Sequence, residues 1–329
     1  ILVTEGCRGD GGTLLDVDEK RFMDKYEPEK AELASRDVVS RWMTHHIREG
    51  KGVKSPYGDH LWLDIRHLGK EHIETRLQEI ARICRTFNGI DPARDLIPVR
   101  PVQHYTMGGI RTDIDGAAYG LEGLFAVGEA ACWDLHGFNR LGGNSLSETL
   151  VAGMLVGRYL TDYLEGVSLD VSERIWKKTF KEQTDKISTL QQRHSGPNVF
   201  DLLNQARKIM TRHVGIFRNK EGLTKAVDDL AVLHEQSEKT ALKTSGPRTS
   251  PELTAALRLP GMIRLAMCIA CGALGRTESR GSHFREDFPE RDDVNWLKRT
   301  LATWEQGRNS PTLAYEPVTI SELPPGDRK

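Results

Sequence analysis

The hydrophobic pattern of the first half of the chain alternates short apolar runs with longer helical repeats. Apolar runs closed by polar or glycine residues predict β-strands at residues 13–17, 61–65 and 124–127. Repeats with a period near 3.6 predict amphipathic helices over residues 36–50, 71–87 and 144–164. Strands and helices that alternate in this way indicate a mixed helix-and-sheet protein of the α+β or α/β class.

Loops and buried faces complete the prediction for this half. Residues 4–12 are predicted to form a glycine-rich loop, and residues 91–101, which contain prolines, an extended crossing between domains. The helix over residues 144–164 is expected to bury one apolar stripe, formed by Leu146, Leu150, Met154, Leu155, Tyr159 and Leu160.

The second half is dominated by helical repeats. Residues 171–243 contain three of them, with breaks at Gly196-Pro197 and near residue 221, and we expect an antiparallel helical bundle. A linker is predicted at residues 245–247, followed by an apolar helix over residues 253–274. The tail is predicted to form short strands at residues 313–315 and 318–320.

Composition narrows the class of protein. The 329 residues suffice for about two domains, and 38% hydrophobic content, 28% charged content and a mean hydropathy of −0.48 are typical of a globular chain. We expect no membrane span, since no apolar run looks close to the ~20 residues that a bilayer requires. A net charge of −1, with Lys and Arg interspersed among acids, argues against nucleic-acid binding.

The cysteines and the first residues add two expectations. Five cysteines, an odd number without the spacing of a secreted scaffold, fit a reducing compartment. Cys268 and Cys271 lie inside the apolar helical repeat without a second ligand pair, so we expect core packing and no metal site. The chain starts with Ile1, without an initiator methionine or a basic leader, and is expected to be a fragment of a longer protein.

The stretch at residues 123–150 carries the pattern of a ligand site. The predicted strand at 124–127 is closed by Gly128 and followed by Glu129, and a glycine-rich turn at 142–146 opens the next helix. A carboxylate past a strand can bind ribose hydroxyls, and the amides at a helix start can face a negative group. We therefore expect a ligand at this point.

Several motifs, taken in order, resemble the flavoprotein subunit of succinate dehydrogenase and fumarate reductase. They cover nearly all of the chain and lie at residues 4–9, 35–37, 104–109, 136–145 and 277–281. The amino-acid sequence at 137–145 is most similar to that of the bacterial quinone-linked fumarate reductases. The resemblance implies part of a capping domain (1–101), the returning segment of an FAD-binding Rossmann-like domain (102–165), a helical bundle (166–285) and a small C-terminal domain (286–329).

The same resemblance implies FAD as the cofactor, with Glu129, Asn144, Ser145 and Leu146 as its contacts. The family places the flavin N1–O2 edge at the start of this helix, where the helix dipole stabilises negative charge. No Gly-x-Gly-x-x-Gly unit follows a strand in this sequence. We therefore expect the first half of the FAD domain, with the histidine that attaches FAD covalently, to lie outside this chain.

The catalytic residues are also implied by the resemblance. Arg36 matches the proton donor, with Glu5 and Arg8 as its relay, and the dicarboxylate is held by Thr4, His104 and Arg140. Without the resemblance, Glu5 and Arg8 would be interpreted as a surface ion pair and His104 as a structural histidine. Arg36 is unusual in either case, because a cation in the first turn of a helix lacks support from the helix dipole.

The implied reaction interconverts succinate and fumarate, by hydride transfer to or from flavin N5 and proton transfer through an arginine. The implied partners are a C4 dicarboxylate, an iron-sulfur subunit and a membrane cytochrome or quinone-binding subunit, which would hold the protein at the cytoplasmic face of the cell membrane. Two alternatives stay open: an L-aspartate oxidase, which shares most of these motifs, and a non-catalytic fragment that only binds partner subunits through its bundle.

Overall fold

The computed structural model describes residues 2–168, 170–244, 250–320 and 326. The chain divides into two compact units, Ile1–Leu160 and Thr161–Lys329. The predicted linker at residues 245–247 lies outside the described residues. The chain is thus a mixed helix-and-sheet protein of more than one compact unit, as its hydrophobic pattern predicts.

A three-stranded antiparallel sheet lies at the centre of the first unit. Its order is β1 (Thr13–Leu15), β2 (Leu61–Asp64) and β3 (Ile97–Val99). Leu14, Leu63 and Ile97 are buried, and Leu63 is paired with both of the others. Within the extended crossing predicted at 91–101, residues 97–99 are extended and pair with β2 as the third strand, a pairing that was not predicted. Proline at position 98 is tolerated there since β3 is an edge strand.

Short helices surround this sheet: α1 (Gly6–Gly9), α2 (Met23–Tyr26), α3 (Arg36–His46), α4 (Lys70–Arg76) and α5 (Gln78–Ile83). The predicted loop at 4–12 therefore contains a helical turn. The helix predicted at 71–87 is broken at Leu77, whose backbone leaves the helical region, and it ends in a π-helical turn at Cys84–Asn88. Likewise, α3 ends at His46 and a π-helical turn follows at Ile47–Lys51.

Residues 102–132 contain a second, small sheet in which β4 (Ile110–Arg111) and β5 (Ala131–Cys132) pair in parallel. The strand predicted at 124–127 is wrong. That segment is extended, but its pairing is a single bridge between Phe125 and Ala117, flanked by the Ala126 N–H donating to Gly116 O at 2.9 Å. The strand follows Glu129 instead of preceding it.

Helix α6 (Asn144–Glu165) has the predicted bounds but a different buried face. Its buried residues are Glu148, Ala152 and Val156, whereas Leu146, Leu150 and Met154 are 68%, 62% and 66% exposed. Leu155 and Tyr159 are also exposed and Leu160 is half-buried, so the predicted stripe is wrong. The small Ala152 and the adjacent Val156 allow close approach to the loop at Gly116, where an added Cβ would overlap the valine.

The second unit is built on four helices: α7 (Glu173–Gln192), α8 (Val199–His213), α9 (Lys220–Ser237) and α10 (Pro251–Gly275). This confirms the three helices predicted before residue 243. The breaks between them have a local cause, since Asn198 and Asn219 each cap the helix that follows by accepting backbone N–H groups. Their core is formed by Leu202, Leu223, Leu230, Leu259, Ile263 and Met267.

By length and composition, α10 is apolar enough to cross a membrane, which corrects the expectation that no run has that length. One face of this helix, with Leu259 and Ile263, is buried against α8 and α9 and supplies the core of the bundle. Cys268 and Cys271 are half-buried on it with free thiols. Within the described residues, no three His, Cys, Asp or Glu side chains are grouped as metal ligands.

The chain ends, within the described residues, in α11 (Asp293–Trp296) and a hairpin of β6 (Lys298–Thr303) and β7 (Thr312–Pro317). The strand predicted at 313–315 is thus confirmed. The strand predicted at 318–320 is wrong, because Lys298, the first residue of β6, already pairs with Pro317 and leaves no strand opposite the residues that follow.

Several charged residues in the segment between α10 and α11 are buried and have a structural role. Glu278 is fully buried, and its carboxylate accepts from Arg276 at 2.6 Å and from Arg280 at 2.8 Å. Arg285 is also buried and donates to the carbonyls of Ala273 and Arg276, each at 2.9 Å. These guanidinium groups tie the end of α10 to the loop that follows it.

Candidate active site

The first unit brings Glu5 and Arg36 into a two-pronged ion pair. Arg36 Nε donates to Glu5 Oε2 at 3.0 Å, and Arg36 Nη2 donates to Glu5 Oε1 at 2.7 Å. Ser35 precedes α3 without a side-chain cap hydrogen bond. Arg36 is the first residue of α3, and its side chain extends to Glu5, next to α1. The hydrogen bond from Arg36 lowers the pKa of the Glu5 carboxyl, which is thereby held as a carboxylate.

Arg8 lies on the other side of the same carboxylate. Its Nη2 is 3.7 Å from Glu5 Oε2, and its Nη1 donates to the carbonyls of Glu32 and Ala34. Burial lowers the pKa of the Arg8 guanidinium, while the charge of Glu5 opposes that shift. Glu5 therefore stands between two guanidinium groups, and the three residues form one continuous polar chain.

The loop before α6 lies directly against these polar side chains. A Cβ atom added at Gly142 would overlap Glu5 Oε1 and come within 3.6 Å of Arg36 Nη2, so a larger residue there would have to displace the Glu5 carboxylate. In the same loop, Asn139 Nδ2 donates to Asp37 Oδ1 at 2.7 Å. The loop at 136–143 is thus bonded to the start of α3 through Asn139 and packs closely against Glu5 at Gly142.

Arg140 is buried in that loop without a carboxylate partner among the described residues. Its side chain donates from Nη1 to Leu141 O at 3.1 Å, and its Nε is buried without any hydrogen-bond partner in the described part of the chain. Burial lowers the pKa of Arg140, and the charge of Arg36 lowers it further. A buried guanidinium that lacks an anion is unfavourable by itself, so this position favours binding of an anionic ligand.

His104 lies within the electrostatic reach of both arginines. Its pKa is lowered by burial and then by Arg140 and Arg36, while Glu129 and Glu5 oppose the shift. The imidazole is therefore neutral at pH 7 and keeps one N–H donor for a ligand. Thr4 lies at the start of α1, where its hydroxyl accepts the Gly6 N–H at 3.2 Å.

The residues expected to contact a flavin lie on two neighbouring segments. Glu129 stands in a short 3-10 turn, Gly128–Ala130, and its Oε1 accepts the Thr106 N–H at 2.8 Å. An added Cβ at Gly109 would overlap the carbonyl of Ala130, so the 104–109 segment packs closely there only because of the glycine. Asn144, Ser145 and Leu146 form the first turn of α6, which holds no acidic residue.

These observations fit part of a flavin site. An acid-free helix start can face the negatively charged edge of the isoalloxazine ring, and the exposed Leu146 offers an apolar contact beside it. Glu129 already holds the backbone of the 104–109 segment, which adds a structural task to the one expected of it.

Two family descriptions match most of this chain. "FAD binding domain" matches residues 1–146, and "Fumarate reductase flavoprotein C-term" matches residues 204–329. The fumarate reductase flavoprotein subunit of Helicobacter pylori is 44% identical over 98% of this chain and 49% of its own length, and that of Mycobacterium tuberculosis is 39% identical over 100% and 58%.

The chain belongs to the fumarate reductase and succinate dehydrogenase flavoprotein family. A solved structure of a mutant Escherichia coli quinol fumarate reductase FrdA agrees with it at a TM-score of 0.89, with 36% identity, over 99% of this chain and 58% of that one. The chain therefore spans about half the length of the curated relatives that it matches.

Within this family member, the structure brings together Glu5, Arg8 and Arg36 by direct contact and adds Arg140 and His104 through their charges. The described contacts of Thr4 do not reach Arg140. The sequence prediction did not assign a role to four residues that contact the site: Asp37 and Asn139, which bond to each other, and Tyr105 and Met107, which contact the side chain and the backbone N–H of Arg140. Each is adjacent to, or within three positions of, a predicted residue, and that is the signal that was available.

Proposed function

We propose that this chain is part of a flavin-dependent oxidoreductase subunit that interconverts succinate and fumarate. The observation that carries the proposal is Arg140, a buried guanidinium without a carboxylate partner among the described residues, near a second guanidinium, Arg36. A small dianion matches this arrangement, because it supplies the negative charge that Arg140 lacks, whereas Arg36 is already paired with Glu5.

In this proposal, Arg140, His104 and Thr4 bind the two carboxylates. The arginine fork can donate two parallel hydrogen bonds to one carboxylate, and neutral His104 can donate one to the other without adding a third positive charge. The hydroxyl of Thr4 is rotatable and can donate while it still accepts from Gly6. Substrate would thereby be held in one orientation before any bond changes.

Arg36 serves as the proton donor in the direction of fumarate reduction. An arginine has a pKa above ~12 and must be reloaded at once, and Glu5 contacts it through both carboxylate oxygens. Arg8, 3.7 Å from Glu5, continues the path away from Arg36. In the direction of succinate oxidation the same chain carries the proton outward.

FAD is the proposed cofactor, and when bound it would exchange a hydride with the substrate carbon. Asn144, Ser145 and Leu146 would hold it at the start of α6, and Glu129 would contact it from the neighbouring turn. We also propose the division into capping, flavin-binding, bundle and C-terminal domains, with an iron-sulfur subunit and a membrane cytochrome or quinone-binding subunit as partners at the cytoplasmic face of the membrane.

The names of the relatives favour succinate–fumarate interconversion over an L-aspartate oxidase. The relatives and the solved structure reported above are fumarate reductases, and a Rickettsia bellii succinate dehydrogenase flavoprotein subunit is 36% identical, whereas none of these is an aspartate oxidase. Glu5, Arg8 and Arg36 also form a connected chain, which a purely scaffolding fragment would not need.

The deciding experiment compares three substrates on the complete flavoprotein. Succinate with an artificial dye acceptor should give rapid turnover, and fumarate with a reduced dye should give the reverse reaction, whereas L-aspartate with oxygen should give none. Turnover of aspartate would establish the oxidase instead. A flavin-containing protein that is inactive with all three substrates would favour the scaffold.

A further inference from the structure

The aromatic ring of Tyr105 lies against the guanidinium of Arg140. The Cζ atom of Arg140 is 5.1 Å from the centroid of the ring, within the range of a cation–π interaction. The ring is itself supported by His136, whose imidazole meets it edge-on at 5.3 Å. Tyr105 stands next to His104 in sequence, but its contact is with Arg140.

The same segment also holds the backbone of Arg140. Its N–H donates to Met107 Sδ at 3.3 Å, so Tyr105 and Met107 fix the two ends of one residue. The side-chain hydrogen bond of Arg140 reaches only the carbonyl of the next residue, Leu141, and leaves Nε without a partner among the described residues. A local bond of this kind does not determine the plane of the guanidinium.

We infer that Tyr105 is the positioning residue of the carboxylate clamp: its ring face orients the guanidinium of Arg140 before the substrate arrives. The face of the ring carries negative charge density and attracts the flat face of the guanidinium. The edge of the guanidinium, which carries the N–H donors, then points away from the ring. A bidentate carboxylate needs that edge. This inference rests on the proposed function, because it assigns Arg140 a dicarboxylate ligand.

The test varies the ring while its shape is kept. In the complete flavoprotein, Tyr105 is replaced by phenylalanine and by phenylalanines with one, two and three fluorines, which withdraw charge density from the ring face stepwise. The dissociation constant of malonate, an unreactive dicarboxylate, is read from the flavin spectrum. We expect affinity to fall with each fluorine, by about 2- to 30-fold over the series.

A second variant and a matched control separate positioning from folding. Tyr105→Leu should weaken malonate binding by a similar factor, and Tyr105→Phe should recover most of it. Tyr119, in the same unit, stacks on Arg111 at the same 5.1 Å, so Tyr119→Leu removes an equivalent contact away from Arg140 and should leave malonate affinity unchanged. Flavin content and thermal unfolding are measured for each protein.

The outcomes distinguish this inference from the proposed function. If affinity is the same throughout the fluorinated series, Tyr105 does not orient Arg140, and the inference fails while the dicarboxylate site stands. Equal losses in Tyr105→Leu and Tyr119→Leu would show a general loss of stability and would also overturn it. If the parent protein does not bind malonate or turn over succinate, the proposed function itself fails.

Discussion

Asn139 donates a hydrogen bond to Asp37 across 102 positions of sequence, and the bond is 2.7 Å long. Each partner is the direct neighbour of an arginine of the proposed site, since Asp37 follows Arg36 and Asn139 precedes Arg140. The two arginines carry like charges and repel each other, and the charge of Arg36 lowers the pKa of Arg140. The Asp37–Asn139 bond opposes that repulsion and keeps Arg36, the proposed proton donor, near Arg140, the proposed carboxylate clamp.

The first prediction exchanges the polarity of this pair. Asn139→Asp would place two carboxylates in contact, and we expect turnover and dicarboxylate affinity to fall by about tenfold or more, because a half-buried hydrogen bond becomes a repulsion. The double exchange Asp37→Asn with Asn139→Asp restores a donor and an acceptor and should recover both quantities. Measurements of turnover and of malonate affinity check this, and a double exchange no better than Asn139→Asp would contradict it.

The second prediction concerns the clamp. Arg140→Lys keeps the charge but loses the two-pronged geometry, so we expect dicarboxylate binding to weaken by about 10- to 100-fold. Turnover should fall too, since a displaced substrate is no longer aligned for hydride transfer. Steady-state kinetics and a malonate titration are the measurements. If fumarate affinity is unchanged, Arg140 is a structural residue.

The residues proposed to carry the chemistry of this site could be predicted from the sequence better than the contacts that hold those residues in place. Arg36, Glu5 and Arg8 were named from motif positions, and the structure brings them into contact. The Asp37–Asn139 bond was not predicted, because no periodicity or spacing links residues so far apart in sequence. A family motif identifies candidate residues for the chemistry, whereas the bonds that position them depend on the folded chain.

In the secondary structure, too, features marked by local sequence could be predicted, whereas features that depend on the folded chain could not. The helix starts at Val199, Lys220 and Pro251 were marked by Asn, Asn and Ser caps and by an adjacent break. The break at Leu77 was not predicted, since neither glycine nor proline marks it. The buried face of α6 was wrong because periodicity identifies an apolar face but not whether another element covers it.

The third prediction follows from a buried histidine in the second unit. His283 accepts from Arg218 Nη1 at 2.9 Å through Nδ1 and also feels Arg276 and Arg285, and burial together with these cations lowers its pKa to about 3. In the unfolded chain the same group takes up a proton near pH 6.5. Its neutral form therefore contributes stability above pH 6.5 that is lost progressively as the pH falls toward 3.

We accordingly expect His283→Gln to flatten the loss of thermal stability between pH 6.5 and 4, even if the variant is less stable at pH 7.5. Melting temperatures at several pH values, under one buffer and salt condition, measure the slope. His194→Gln, an exposed histidine of the same unit, is the control and should retain the parent slope. If the melting temperature falls equally steeply with pH in the parent and in His283→Gln, His283 does not control the loss of stability in acid.

The last prediction assigns the proton donor. Arg36 stands in the first turn of α3, where the helix dipole gives a cation no support, and both of its contacts with Glu5 are charge-assisted hydrogen bonds. Arg36→Gln keeps a hydrogen-bonding side chain but cannot deliver a proton. Fumarate reduction should fall by about 10² to 10⁴, which is typical of a lost general acid, while flavin content and malonate affinity stay near those of the parent.

The control is Arg82→Gln on α5, which breaks an exposed arginine–glutamate pair with Glu79 that lies outside the proposed relay. Its turnover should match the parent. Turnover with an artificial electron donor, beside a flavin titration with malonate, distinguishes a lost proton donor from a lost binding group. If Arg36→Gln keeps substantial turnover with intact binding, another group supplies the proton, and His104, which feels the charges of both arginines, is then the residue to replace next.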